Sequence, residues 1–290
     1  MVASAGGPFA PAVVSASSAA GTASSVAATV GESILIACVL LGTVPLLSMS
    51  GQFLLVGLHP WRDHYDRCEP FYPRVAVLLP AWNEAAVIGH TIDRLMGLDY
   101  PADALRVYVI DDASTDGTPE AVLTKAAAFP GRVFHLRRDH GGEGKAHTLN
   151  HGISALLSDS WMEAMLIADA DVVYTADSLR RMTRHLADPS VGAVTAYITE
   201  GSRPGNYLTR FVGYEYITAQ AGARRAQNVL GALACLAGGA QLHSRANLEA
   251  IGGRIDTTSW ADDTFPPLNT PLAGRRALIE PNAIVYAEEP

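Results

Sequence analysis

The sequence predicts an α/β fold, a mostly parallel sheet flanked by helices and preceded by one transmembrane helix. Three observations carry that expectation. Short apolar runs alternate with helix-length segments between residues 74 and 172, the pattern of a parallel sheet covered on both faces. Two of those runs end in acids, Asp111-Asp112 and Asp169-Ala170-Asp171, at the carboxyl ends of strands where open α/β sheets bind ligands. Upstream, Ser33 to Leu58 lacks any formally charged side chain, and roughly 20 apolar residues suffice to cross a bilayer core as a helix.

The N-terminal residues 1–31 are Ala, Ser, Gly and Val with almost no charge, so a disordered tail is expected. No basic stretch opens them, as a secretory signal would require. Residues 32–58 are assigned to the transmembrane helix, in which Pro45 is tolerated better than in a soluble helix. The competing reading is a buried helix of the following domain, although the run shows no amphipathic face. His59, Trp61, Arg62, Arg67 and Arg74 follow the span and no basic residue precedes it. That asymmetry predicts insertion in the inner (plasma) membrane with the remainder cytoplasmic. A juxtamembrane linker, 59–73, then leads to one domain at 74–290.

Within that domain, Val75 to Pro80 reads as a buried strand and Glu84 to Met96 as a helix with Ile88, Ile92 and Leu95 on one face. Leu105 to Asp112 (strand), Pro119 to Ala128 (helix), Arg132 to Arg138 (strand), Lys145 to Leu157 (helix) and Met162 to Val172 (strand) continue the alternation. Val191 to Thr199 is a further strand, Asn206 to Leu230 one or two helices, and Ala246 to Ile251 a short one. Pro266, Pro267 and Pro271 oppose a helix, and residues 275–290 suggest a final strand pair at the domain edge.

A formal net charge of −8 and the lack of a basic stripe exclude nucleic acid as the main partner. Cys38, Cys68 and Cys235 have neither zinc nor disulfide spacing, and Cys38 and Cys235 are expected to be buried. No GxSxG or HExxH motif is present. The loop His140 to Lys145 is glycine-rich, but Ala146 stands where a P-loop has Ser or Thr.

Asp169 and Asp171, on one side of an extended strand, offer oxygen ligands suited to Mg2+ or Mn2+ beside phosphates; alternatively they are a solvent-facing turn. Asp111 and Asp112 are placed to accept hydrogen bonds from a base or ribose, or to order the turn before the next helix, where Ser114 or Asp116 caps. Lys145, entering a helix after glycines, lies near any bound phosphate. Asp262-Asp263 is either a general base for an attacking hydroxyl or a surface pair.

Taken in order, PAWNE (80–84), VYVIDDASTDGT (107–118), HGGEGKAHTLNHG (140–152), IADADV (167–172) and the late acidic pair resemble the family 2 inverting glycosyltransferases. The nearer likeness is to their membrane-bound branch of cellulose, chitin, hyaluronan and poly-N-acetylglucosamine synthases. It spans Arg74 to Pro290 and implies a GT-A-like domain, with a nucleotide-sugar half at 74–172 and an acceptor half at 173–290. It further implies that Pro80, Ala81, Asn83, Glu84, Asp111, Asp112, Lys145 and Asp169 form the nucleotide pocket, that Asp171 with Asp169 holds the metal, and that Asp263, beside Asp262, is the base. Gly238-Gly239-Ala240 and His243 to Arg245 match the segment lining the acceptor site, with Ser244 at the family's first arginine. Phe211 to Gln227 resembles the branch's amphipathic interface region. The implied donor is a UDP-sugar, and the acceptor a glycan, lipid or small molecule. Polymerising members add a Gln-x-x-Arg-Trp motif and more transmembrane helices, neither of which this sequence holds. Two expectations stand side by side. One is transfer to an acceptor hydroxyl; the other is a truncated or non-catalytic membrane-tethered subunit that binds the sugar nucleotide. A membrane-protein partner would supply the missing transmembrane or acceptor elements.

Overall fold

Forty-five consecutive residues, Val14–Leu58, form the first helix, α1, in the computed structural model, which describes residues 14–62, 64–201, 207–257 and 265–287. The helix starts where the sequence places a tail; alanine, the strongest helix former, is the commonest residue of 14–31, with six positions. The Ser33 and Ser50 hydroxyls donate to the carbonyls of Thr29 and Leu46, each at 2.9 Å, so they bring no unpaired polar group to the surface. Large apolar side chains such as Ile34, Val39, Leu41, Leu47 and Phe53 are each more than half exposed. Cys38 is exposed and Cys235 half-buried, contrary to expectation. The chain divides into two compact units, Met1–Gly51 and Gln52–Pro290.

In the second unit, β1 (Val75–Ala81), α2 (Ile88–Met96), β2 (Leu105–Asp111), α3 (Thr118–Ala128), β3 (Val133–Arg137), α4 (Lys145–Ser158) and β4 (Ala164–Ala168) alternate strictly. Then come β5 (Val172–Tyr174), α5 (Ser178–Arg184), β6 (Val191–Glu200), α6 (Tyr207–Glu215), a π-helical segment at Tyr216–Gly222, and α7 (Ala223–Leu230). β7 (Ala240–Ser244), α8 (Arg245–Ala250), α9 (Phe265–Leu272) and β8 (Arg276–Ala287) complete the described elements.

The strands make one sheet in the order β3-β2-β1-β4-β7-β6-β8-β5. The β3-β2-β1-β4 half is parallel, as the alternation predicts. β7 runs antiparallel to both β4 and β6, which turns the second half into a mixed sheet. Period-two alternation splits β1 between two cores. Val75, Val77 and Leu79 pack with Ile88 and Ile92 of α2, Val122 of α3 and Met182 of α5. Ala76 and Leu78 face Leu149 and Ile153 of α4 and Leu248 of α8.

Three expectations need correction. The run 162–172 is two strands, with Asp169 to Asp171 in the turn between β4 and β5. The described part of the segment, to residue 287, supplies the single strand β8, parallel to β6 and antiparallel to β5, rather than a strand pair. Its register slips where Glu280-Pro281-Asn282 stands against Ala196 and Tyr197, a bulge that accommodates a proline without a ladder donor. Phe265–Leu272 is helical despite its prolines, because Pro266 and Pro267 fall in the first turn, where backbone N–H groups have no helical acceptor.

Helix α4 approaches the sheet at Gly152, where an added Cβ would lie 2.4 Å from Leu78 Cδ1 and 2.9 Å from Ile110 Cδ1. Gly152→Ala gains about 1 kcal/mol in helix propensity, yet overpacking costs about 1–3 kcal/mol. Both neighbours are wholly buried and cannot step aside, so the overpacking wins. Thermal unfolding of the variant is expected at a lower midpoint than the parent; an equal or higher midpoint contradicts this packing.

Candidate functional site

The carboxyl ends of β1, β2 and β4 open onto a cleft of about 500 Å3. Its walls come from three loops, each held by side-chain to backbone hydrogen bonds.

The loop after β2 is organised by Asp111. This carboxylate is inaccessible to solvent and accepts hydrogen bonds from Ser114 N (2.8 Å), Arg137 Nη1 (2.7 Å) and His135 Nε2 (3.1 Å). Burial pushes its carboxyl up, but Ser114, His135 and Arg137 outweigh that and hold it below the usual carboxylate range. Asp111 therefore does not line the cleft; its neighbour Asp112 does. Asp112 accepts from Gly142 N at 2.9 Å and pairs with Arg138, which also pairs with Glu143. Burial again acts upward on Asp112, and the Gly142 amide, Arg138 and Thr148 bring it below its ordinary value.

The loop after β1 is tied to the loop after β2. Asn83, with φ of 57°, donates its N–H to Ser114 Oγ (3.0 Å) and accepts Thr115 N on Oδ1 (2.9 Å). Glu84 N donates to Thr118 Oγ1 and Ala85 N to Asp116 Oδ2, at 2.8 and 3.1 Å. Asn83 is thus a tie between loops, while Pro80, Ala81, Trp82 and Glu84 line the cleft. Trp82, 61% exposed, was not singled out by the sequence reading, and an isolated aromatic carries no sequence signal.

The third wall is the turn after β4. Asp169 and Asp171 both line the cleft, and Asp169 Oδ1 lies 2.7 Å from Lys145 Nζ at the start of α4. Two side chains missed in the sequence fix this turn. Thr91 of α2 donates to the Ala170 carbonyl at 2.5 Å, and the buried Tyr174 hydroxyl donates to the Gly239 carbonyl at 2.5 Å. A Cβ on Gly239 would come within 3.2 Å of Asp169 Oδ2 and 2.9 Å of Val172, so the glycine lets this segment pack behind the acids. Burial first, then the facing charges of Asp171, Asp116 and Asp169, raise the Glu84 carboxyl above its usual range. A field of that sign favours cations.

The donor set fits a hard divalent ion. No group of three or more His, Cys, Asp or Glu able to hold a metal occurs among the described residues. Two carboxylates, with substrate phosphates and water completing the shell, is however the usual arrangement for Mg2+.

Elsewhere the expected acceptor-side residues are internal. Arg245 donates to the Leu157 carbonyl (2.8 Å) and pairs with Glu249. Ser244 caps α8 through Asn247 N, and His243 is wholly buried. Asp262 and Asp263 lie outside the described residues.

The parallel half of the sheet brings acids and a lysine together at its strand ends, an arrangement chemically suited to a phosphorylated ligand beside a hard cation. Comparison with known proteins narrows that chemistry. Residues 73–290 match the family model described as "Glycosyltransferase like family 2", and the chain belongs to that family. It is 33% identical over 192 residues to the beta-monoglucosyldiacylglycerol synthase of Synechocystis sp., covering 66% of this chain and 39% of that protein. It is 29% identical over 230 residues to an N-acetylglucosaminyltransferase of Rhizobium sp., covering 76% and 49%. The chain thus spans less than half the length of either relative. A mannosyltransferase of Pyrobaculum calidifontis, solved with GDP-Man and Mn2+, superposes with a TM-score of 0.61 at 28% identity, over 84% of this chain and 68% of that one. S. aureus TarS, solved with UDP-GlcNAc, shares the fold at a TM-score of 0.53 and 15% identity, covering 75% and 59%.

Asp111 and Asp112 both have lowered carboxyl pKa values in the folded chain. They therefore contribute stability that is complete above the unfolded value near pH 4 and is lost as pH falls through the folded values. Acid unfolding monitored by circular dichroism is expected to begin below about pH 4. In Arg138→Gln the pH dependence should be shallower, because the Asp112 shift is reduced.

Proposed function

We propose that the chain transfers a sugar from a nucleotide-diphosphate donor, a UDP-sugar, to an acceptor hydroxyl with inversion at the anomeric carbon. The observation that carries this reading is the convergence of Asp112, Lys145, Asp169 and Asp171 on one cleft at the strand ends. The 28% identity to a mannosyltransferase solved with GDP-Man and Mn2+ supports a nucleotide-sugar donor with a divalent ion.

In this reading Asp112, fixed by Arg138 and Gly142, accepts hydrogen bonds from the base or ribose. Trp82 offers the exposed flat surface at the mouth of the cleft. Asp171, aided by Asp169, would hold Mg2+ or Mn2+, which when bound would supply positive charge against the negative charge developing on the departing diphosphate. Lys145, paired with Asp169 at the start of α4, stands where it would donate to the diphosphate. Asp263 takes the proton of the acceptor hydroxyl as it attacks, with Asp262 beside it. No covalent sugar-enzyme intermediate is required.

The chain is further proposed to be membrane-anchored through α1, with the second unit cytoplasmic. Val26–Arg67 holds the described segment long and apolar enough to cross a bilayer. Tyr207, Phe211, Tyr214 and Ile217 add an exposed stripe at helical spacing, the composition of a face that rests at a membrane interface. Acceptors of glycan or lipid type fit that location.

Release of nucleoside diphosphate from a panel of UDP- and GDP-sugars, in detergent with Mn2+, tests the transfer. One donor should dominate and EDTA should abolish release. Asp171→Asn should lose on the order of 10²-fold or more, and Asp263→Asn about 10²- to 10⁴-fold, while Asp103→Asn, on an exposed turn, leaves the rate unchanged. Nucleotide binding without release by the parent chain would overturn catalysis and leave a binding subunit. Anchoring is tested separately. The chain should float with phosphatidylcholine liposomes at high salt, and a chain lacking residues 14–51 should not.

A further inference from the structure

A second cavity lies away from the donor cleft, where α1 ends. It measures about 320 Å3 and is lined by Val56, His59, Pro60, Arg225, Glu280 and Asn282, among others. Its apolar lining comes from the last turn of the membrane-type helix, and its polar lining from α7 and the β8 bulge.

Arg225 is half-buried and has no carboxylate within ion-pair distance among the described residues; its recorded contact is with the Tyr197 ring, 5.8 Å from the guanidinium carbon. The next arginine in sequence shows the contrast. Arg224 is buried and donates to the carbonyls of Cys235 and Leu236, each at 3.2 Å. Arg224 therefore serves the fold, whereas the five donors of Arg225 meet no hydrogen-bond acceptor among the described residues.

Glu280, the one acid on the cavity wall, is internally engaged. Its Oε2 lies 2.8 Å from His185 Nε2 and its Oε1 accepts Asn282 N at 2.8 Å. His59 is not a competing anion acceptor. The Asn228 amide has its oxygen on Ile279 N (3.3 Å) and its nitrogen 3.1 Å from His59 Nε2. Nε2 therefore accepts the Asn228 amide N–H and is not offered to the cavity as a donor. Arg62, one turn beyond the helix, donates to the Val229 carbonyl at 3.0 Å and brings a second cation to the same end of α7. The cavity thus combines an arginine with no carboxylate partner among the described residues, a neutral amide and the end of a bilayer-length apolar helix.

We propose that this cavity is a second ligand site, separate from the donor cleft, that takes a phosphate anion on Arg225, supplied by the headgroup of a membrane phospholipid. Arginine matches phosphate through paired N–H donors, and a phospholipid presents that group at the depth where a spanning helix ends. The lipid as source rests on α1 crossing the bilayer; the anion site does not.

The test uses the full chain in dodecylmaltoside micelles, with thermal unfolding read against dihexanoyl phosphatidylglycerol, dihexanoylglycerol and inorganic phosphate. The phospholipid should raise the midpoint saturably, and dihexanoylglycerol should not. Arg225→Gln should shift half-saturation about 10-fold or more, as expected for loss of charge-assisted hydrogen bonds, and leave nucleoside diphosphate release unchanged. Asn282→Asp, an exposed change at the rim, should weaken binding similarly and covers the case in which Arg225→Gln does not fold. Equal response to dihexanoylglycerol, or unaltered affinity in a folded Arg225→Gln chain, overturns the site. Equal half-saturation for inorganic phosphate and the phospholipid overturns the lipid as its source. Phospholipid binding by a chain that fails to float with liposomes would remove the anchor and leave the anion site intact.

Discussion

The cleft depends on one buried carboxylate that never touches it. Asp111 is shut from solvent and bound by His135, Arg137 and Ser114. Ser114, so held, accepts the Asn83 N–H, and Asn83 in turn accepts Thr115 N. The chain of bonds runs from the end of β2 to the end of β1, and it sets where Trp82 and Glu84 stand. An ionised carboxylate without these donors would be costly to bury. The same donors that make burial tolerable also give the two loops a single arrangement.

The acid turn after β4 shows a different solution to the same problem. Its backbone leaves the sheet at Asp169, so it has no ladder partner to fix it. Thr91 reaches across from α2 to the Ala170 carbonyl, and Tyr174 holds the Gly238-Gly239 segment behind it. The carboxylates thus stand on a surface supported from both sides. Side chains that must hold a ligand within fractions of an ångström need such support.

Much of this was legible in the sequence, and the failures have local causes. The alternation between 74 and 172 gave the parallel half of the sheet because β1 and β4 are short apolar runs and β2 is nearly so. The antiparallel half was obscure, because β7 and β8 carry Gln241, His243 and Glu280 at buried positions, where a pattern reading expects apolar residues. For Asp111 and Asp112 the sequence leaves two readings open, ligands of a base or ribose and organisers of the turn. Adjacent residues of a strand point to opposite faces, so they divide into one that orders the loop and one that faces the cleft. Asp169 and Asp171 were paired by strand periodicity, and they do line one cleft, but as members of a turn. Thr91 and Tyr174 could not be found at all, since their partners are backbone carbonyls 79 and 65 positions away.

The wide helical turn at Tyr216–Gly222 divides one rod into two chemistries. In a regular helix, residues seven apart share a face. Ile217 and Arg224 are seven apart, yet Ile217 is 53% exposed and Arg224 only 7%. Each looser turn holds more than 3.6 residues, so the helix arrives at Arg224 rotated away from the side that shows Tyr214 and Ile217. A greasy outer stripe and the inward-pointing Arg224 can therefore succeed each other without a break in the backbone. The segment works as a gearing between surfaces, and its length, rather than the identity of its small residues, is what an insertion or deletion would put out of phase.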